Sequence, residues 1–384
     1  MDLFAMNSFN SYLSTELTNI RSKNRFRSVK LPLGIDLSSN DYLCLSQSRE
    51  IKNALKEGIE IYGAGSGASR LIRGHRDIFE KTEKKFANWV GSENSLFLAN
   101  GFAANVGLID AIADSRTLIF TDRLNHASIL DGIRISGAVK KYFHHRDMTH
   151  LRELLQKSDP KARKIIVSET VFSMDGDIAF VKALISLKKE FDACLILDEA
   201  HALGVFGNEG GGIALAANLS KEEVSEIDFR VYTGGKSLGL EGAFIACSNL
   251  SKDYLINTMR TFIFSTAPIP AVLFALSVSI DLVKKMDLER SRILENANLL
   301  RSGFKKLGYE TLFSESQIIP VVLFEEERAL HFAQFLQEKG FDIRAIRPPT
   351  VKESRLRISI NSNITRELIQ KVLECLPNEP NAIA

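Results

Sequence analysis

No surplus of either charge marks this chain, and the shortage excludes a class of partner. Lys plus Arg number 49 against 47 Asp plus Glu, for a net charge of +2. That balance gives no electrostatic reason to expect nucleic acid or an acidic membrane surface. Cysteine is scarce: Cys44, Cys194, Cys247 and Cys375 are widely spaced and form no C-x-x-C pair. A disulfide framework and a zinc site are both excluded by that spacing, which fits a reducing cytoplasmic setting. Long apolar runs are also missing. The most membrane-like stretch, Ala267–Ile280 (APIPAVLFALSVSI), carries two prolines and stops at Asp281. It falls short of the roughly 20 residues needed to span a bilayer and reads as a helix buried in a core or a subunit contact. The opening MDLFAMNSFN lacks the basic start and apolar run of a signal peptide. There is no internal repeat, low-complexity tract or obvious linker.

What is present is alternation. Helical spacing over Ile51–Ile61, Phe79–Val90, Thr149–Gln156 and Val181–Lys189 is interleaved with short apolar runs at Ser95–Leu98, Thr117–Phe120, Lys164–Val167 and Cys194–Leu197. Such runs are expected of strands buried on both faces, so the rhythm predicts an α/β fold with a mostly parallel sheet. After about Asp287 the order becomes helix Leu288–Leu307, strand Ile318–Phe324, helix Arg328–Lys339, an extended segment Phe341–Ile346, strand Arg355–Ile360 and helix Thr365–Leu376. That reads as a smaller α+β unit.

Two motifs tempt and fail. Gly63–Ala68 (GAGSGA) has dinucleotide-loop spacing but follows a predicted helix, where the fingerprint must follow a strand. It is better read as a glycine-rich turn that lets backbone approach a ligand. Leu195–His201 (LILDEAH) with Gly235-Lys236-Ser237 imitates a nucleoside triphosphatase. However, the first glycine of the phosphate loop would fall at Arg230, and the lysine follows the acidic motif instead of preceding it.

What remains is a carboxylate at a strand end, a histidine three residues on, and Lys236 among glycines in VYTGGKSLGL (Val231–Leu240). Ligands of parallel α/β sheets bind beyond those strand ends. The set suits a pyridoxal phosphate (PLP) enzyme, which needs a lysine for the cofactor aldehyde and an acid, Asp198, for the ring nitrogen. His201 and Ser173 can reach the phenolic oxygen, and His126 can stack on the ring. Gly101 and Phe102, opening a helix, offer amides to a phosphate, and Thr233 adds a hydroxyl. The glycines around Lys236 are read as leaving room for a flat ring and for the lysine to move.

The chain resembles the α-oxoamine synthases, PLP enzymes of fold type I that join an amino acid to an acyl thioester with loss of CO2. The resemblance is carried by LSSNDYLCL (Leu37–Leu45), GAGSGASRLIRG, NGFAAN, TDRLNHAS, ETVFSMDGD (Glu169–Asp177), LDEAHALGVFG, TGGKSLGLEGA, FSTAPIP and RPPTV. It implies an aspartate aminotransferase-like fold with a segment 1–45, a large PLP-binding domain 46–286 and a small α+β domain 287–384. It also implies Lys236, His126, Asp198 and His201 as the catalytic set, and Asn40 and Arg357 on the substrate carboxylate. Ser265 and Thr266 are expected to reach the phosphate of a neighbouring subunit in a homodimer. Arg21 and Thr350 are also expected among the substrate-binding residues, and the basic run Arg21, Lys23, Arg25 and Arg27 is either a contact for a carrier's phosphates or a solvated surface.

VFSMDGD and AIRPPTV point to the branch using L-alanine and a pimeloyl thioester, on coenzyme A or on acyl carrier protein. Sister reactions use glycine with acetyl, succinyl or longer thioesters, or serine with palmitoyl. A catalytically silent homologue serving as a binding subunit is the rival of another class. No metal is expected. Three departures stand out: Cys44 replaces the usual glycine of DYLGL, the loop between Val351 and Arg355 is short, and Arg146 stands where asparagine is common. His144 and His145 are read as structural or exposed.

Overall fold

The computed structural model describes residues 8–216 and 219–376. Its strands, in chain order, are β1 (Ile35–Asp36), β2 (Asn94–Leu98), β3 (Thr117–Asp122), β4 (Val139–Phe143), β5 (Arg163–Glu169), β6 (Cys194–Asp198), β7 (Phe229–Thr233), β8 (Ala243–Cys247), β9 (Ile318–Phe324), β10 (Phe341–Asp342), β11 (Arg344–Ile346) and β12 (Ser354–Ser359). The central seven-stranded sheet has the order β2-β8-β7-β6-β5-β3-β4. Only β8 runs against its neighbours, so β2 through β7 all end on the same side of the sheet.

Period-two alternation explains why the apolar runs are continuous. Leu96 and Leu98, Ile165 and Val167, and Ile196 belong to one buried cluster with Leu108, Ile129 and Leu255 of the helices on that face. Phe97, Ile166, Leu195 and Leu197 belong to the other, with Phe79, Phe86, Leu184 and Leu276. Helices cover both faces, so each strand is apolar on both. Phe86 stacks on Phe244 of β8 at 4.0 Å and 4°. The helix Pro270–Val283 packs in that second cluster, with Leu273, Leu276, Ile280 and Val283 fully buried. It therefore takes the core alternative, and it starts at Pro270, the position where a missing N–H costs least.

β4 is the exposed edge strand, with Lys140 and Lys141 in the open. Charge there discourages pairing with a further strand, and it also hid the strand from a reading based on apolar runs. A three-stranded antiparallel sheet, β11-β12-β9, lies in the C-terminal region, among the helices Asp287–Lys306, Glu326–Glu338 and Arg366–Glu374. The N-terminal segment is fastened to this region: β1 pairs in parallel with β10, and the Ser359 and Ser362 amides donate to Leu37 O and Tyr42 O at 2.8 Å each. That seam brings the Asn40 stretch against β12. Residues 1–7 of the expected N-terminal segment and 377–384 of the small domain lie outside the described residues. No helix among the described residues is long and apolar enough to cross a membrane.

Candidate active site

The carboxyl ends of β5, β6 and β7 meet at a cavity of about 190 Å³, whose lining includes Gly101, His126, Glu169, Asp198, His201 and Lys236. Register sets Glu169 opposite Asp198, and Asp198 opposite Val231. Two acids therefore sit side by side, and they are treated differently. Asp198 accepts from Asn105 Nδ2 at 2.7 Å and from the Ala200 amide at 2.9 Å. Glu169 accepts from the Ser173 amide at 3.1 Å through Oε2, and its Oε1 is buried without a hydrogen-bond partner among the described residues. Burial, reinforced by Asp198, pushes the Glu169 carboxyl up to about 8 despite Lys236 nearby. This acid is therefore largely protonated at neutral pH.

Lys236 emerges from the hairpin between β7 and β8, and its Nζ lies 2.7 Å from His201 Nε2. Burial holds its amine down at about 8; Asp198 and Glu169 pull upward and Arg357 pushes further down. Most of the glycines here serve the backbone and not a ligand, which corrects the sequence-based reading. A Cβ on Gly234 would lie 2.4 Å from Glu241 O, and one on Gly242, at φ +94°, would lie 2.1 Å from the Phe97 ring. Only at Gly235 is there ordinary space around such a Cβ.

His126 caps the helix Ala127–Ser136, with Nδ1 accepting from the Ser128 amide at 3.3 Å and lying 2.8 Å from Ser128 Oγ. Accepting through Nδ1 leaves the hydrogen on Nε2. The neutral ring agrees with a pKa lowered by burial and by Lys236, against the pull of Asp198. Asn125 anchors this turn to β5 by donating to Val167 O at 2.8 Å and accepting from the Glu169 amide at 2.9 Å. On the next face, the helix Gly101–Ile112 opens with Asn100 as cap, accepting the Ala103 N–H at 2.8 Å. The amides of the first turn ahead of it point outward from the helix end, as anion sites do.

Asn40 and Arg357 come together across the seam: Arg357 donates to Asn40 Oδ1 at 3.0 Å, to Ser173 O at 2.6 Å and to Ser359 Oγ at 2.7 Å. Ser173 thus enters through its backbone, holding Arg357 and Glu169, and does not line the cavity. Thr233 is at the cavity, but its hydroxyl is donated to Gly242 O at 3.2 Å. Ser265 and Thr266 line a separate small cavity with Arg70 and Phe97. Arg21 and Thr350 are not brought to the site. Arg21 lies over the Phe26 ring at 4.3 Å, Thr350 is exposed, and two more members of the basic run are engaged within the chain, Arg25 with Glu326 at 2.9 Å and Arg27 with Pro348 O at 3.4 Å. The GAGSGA turn is exposed at all three glycines and does not line the cavity either.

Sequence reasoning missed Tyr42, Asn105, Ser128 and Glu169. Asn105 stands four residues beyond Gly101 and so on the same helix face, a spacing that could have flagged it. Tyr42 and Glu169 had no local signal beyond lying inside the motifs LSSNDYLCL and ETVFSMDGD.

A mostly parallel sheet, a lysine of depressed basicity at its carboxyl edge and an acid, two histidines and a helix N-terminus around it define a PLP-dependent enzyme of fold type I. The chain belongs to the family described as aminotransferase class I and II, which matches residues 33–376, and within it to the α-oxoamine synthases. It is 40% identical over 333 residues to a protein of Bacillus mycoides (strain KBAB4) named "Putative 8-amino-7-oxononanoate synthase", covering 86% of this chain and 84% of that one. Among solved structures it is similar to a serine palmitoyltransferase from S. paucimobilis with a PLP–myriocin aldimine bound (TM-score 0.88, 28% identity, covering 98% of this chain and 97% of that one). It is also similar to the 8-amino-7-oxononanoate synthase of Francisella tularensis (TM-score 0.77, 29% identity, covering 89% and 96%). The cofactor is PLP. The residues present fit it: a free amine, an acid pair with an orphaned oxygen and a helix N-terminus surround one cavity.

Proposed function

We propose that the chain joins L-alanine to a pimeloyl thioester, releasing CO2 and the carrier thiol and giving 8-amino-7-oxononanoate for biotin synthesis in the cytoplasm. The observation that carries the chemistry is the Lys236 amine, held at about 8 and seated 2.7 Å from a neutral histidine. The choice of substrates rests on the 40% identity to the Bacillus relative.

In this reading Lys236 would hold the cofactor, Asp198 its ring nitrogen, His126 a ring face, and His201 its phenolic side. The Gly101 and Phe102 amides and Thr233 would take the phosphate, joined by Ser265 and Thr266 of a second copy in a homodimer. When bound, PLP supplies an electron sink for a carbanion at the amino acid's α-carbon. The chain's own part is acid–base and positional. Arg357 and Asn40 hold the carboxylate of the amino acid. The Lys236 amine takes the α-proton, since a base near neutral pKa is free to accept at working pH. It later returns a proton to the product. His201, pulled well below its ordinary value by burial and by the Lys236 and Arg357 charges, stays neutral beside it. The acyl carrier is coenzyme A or acyl carrier protein.

A second reading, serine with a palmitoyl thioester, is favoured by the similarity of the backbone to serine palmitoyltransferases. Carrier-thiol release, measured with alanine, glycine and serine each crossed against pimeloyl, acetyl, succinyl and palmitoyl thioesters, separates them. Turnover with alanine and pimeloyl is expected. Turnover confined to serine with palmitoyl, or to glycine, would replace the substrate assignment, and a colourless, inactive protein would point to a silent binding subunit.

A further inference from the structure

Tyr42 is fully buried and sits in the middle of a row of side chains that crosses the seam. Its hydroxyl is 2.7 Å from His201 Nδ1 and 3.1 Å from Asn40 Oδ1. The other nitrogen of the same imidazole is 2.7 Å from Lys236 Nζ, and Asn40 Oδ1 also accepts from Arg357 at 3.0 Å. Lys236, His201, Tyr42, Asn40 and Arg357 thus form an unbroken chain of hydrogen bonds. Gln317 fixes the His201 backbone within it, donating to His201 O at 2.8 Å.

The phenol has one hydrogen and two acceptors, so its direction follows from its neighbours. With Lys236 as an ammonium, Nζ donates to His201 Nε2. The neutral imidazole then carries its hydrogen on Nδ1 and donates it to the Tyr42 oxygen, and the Tyr42 O–H turns to Asn40. With Lys236 as a free amine, the imidazole hydrogen sits on Nε2 instead and is donated to Nζ. Nδ1 is then bare and accepts from Tyr42, and Asn40 Oδ1 retains only Arg357. One proton leaves the row in this exchange, from the ammonium to water in the cavity. The imidazole and the phenol keep one each, and only its position or direction changes.

We propose that Tyr42 is a positioning residue whose hydroxyl changes partner with the protonation of Lys236, coupling that lysine to the Asn40–Arg357 pair. The coupling to substrate rests on the reading above, that this pair holds the amino acid's carboxylate. A carboxylate that draws Arg357 away leaves Asn40 Oδ1 needing the Tyr42 hydrogen, which favours the ammonium. By reciprocity, deprotonating Lys236 weakens the hold on the amino acid. The groups that set the balance are Asp198, Glu169 and Arg357 around Lys236, Lys236, Arg357 and His126 around His201, and Arg357 beside Tyr42. Burial keeps the lysine near 8 and the imidazole neutral, so the exchange falls in an accessible range.

The direct test uses the cofactor-free protein labelled with 15N-histidine, with the His201 signals assigned by their loss in His201→Gln. The ring is expected to pass from the Nδ1–H to the Nε2–H tautomer between about pH 6.5 and 9.5; a single tautomer throughout overturns the switch, whatever the fate of any variant. In the same cofactor-free protein, the apparent Kd for the amino acid is expected to rise at least about fivefold across that range, and Tyr42→Phe to flatten the rise. A merely structural Tyr42 would shift Kd equally at every pH, which contradicts the proposal. If Asn40→Ala leaves Kd unchanged, the carboxylate assignment fails while the tautomer measurement still judges the switch.

Discussion

At the scale of single residues, backbone conformation explains the departure at Cys44. The residue sits at φ 55°, ψ 29°, in the left-handed region. A side chain there costs about 1–2 kcal/mol that glycine avoids. Cys44→Gly should therefore raise stability by about 0.5–1 kcal/mol once the lost burial of a half-exposed side chain is discounted. Urea unfolding checks this, and an unchanged or lower midpoint would show that the thiol's packing outweighs the strain. The chemistry-bearing residues were legible in the sequence because a strand-end acid, a histidine just beyond it and a lysine among glycines together suit one cofactor: Lys236, Asp198, His201 and His126 all line the cavity. Their supporting partners were not. Tyr42 meets His201 across 159 positions and Asn105 meets Asp198 across 93, and no local pattern encodes such pairings.

At the scale of elements, the apolar runs were readable because strands covered on both faces cannot carry polar residues without partners. β4 escaped because an edge strand is free to be charged. The β7–β8 hairpin escaped because its glycines look like a ligand loop, when Gly234 and Gly242 are required by the backbone and by Phe97. Gly242→Ala should destabilise by about 2–4 kcal/mol, combining overpacking with a positive φ. Gly65→Ala, where nothing lies within 4 Å of the added Cβ, should stay within about 0.5 kcal/mol of the parent. Equal effects for the two, measured by denaturant unfolding, would contradict this account of the hairpin.

At the scale of the molecule, the loop Ser173–Asp177 joins the central sheet to the C-terminal region. Arg357 donates to Ser173 O, Arg355 pairs with Asp175, and the Glu315 and Ser316 amides donate to Gly176 O at 2.9 and 3.0 Å. Arg146, the departure from asparagine, pairs with Asp177 and Glu315 at 3.2 Å each and so ties the same parts. His145 bridges Asp122 at 3.0 Å and Asp177 at 2.6 Å, a structural role for a residue the sequence left as structural or exposed. Burial opposes its charge, but the bonds to Asp122 and Asp177 win and raise it to about 9. Because the folded value lies above the unfolded one, this stabilisation is complete below about pH 6.5 and disappears as pH rises through 9. Between pH 6.5 and 9.5 the parent should lose on the order of 3 kcal/mol more unfolding free energy than His145→Gln. Parallel pH profiles for the two proteins would remove His145 from the interface account.

All of this leads to one lysine. The purified, yellow protein reduced with borohydride and digested should carry the pyridoxyl group on the peptide containing Val231–Leu240, at Lys236. Label on any other lysine, or none on a protein that still turns over, would contradict the central claim that the cavity beside Asp198 and His201 is the cofactor site.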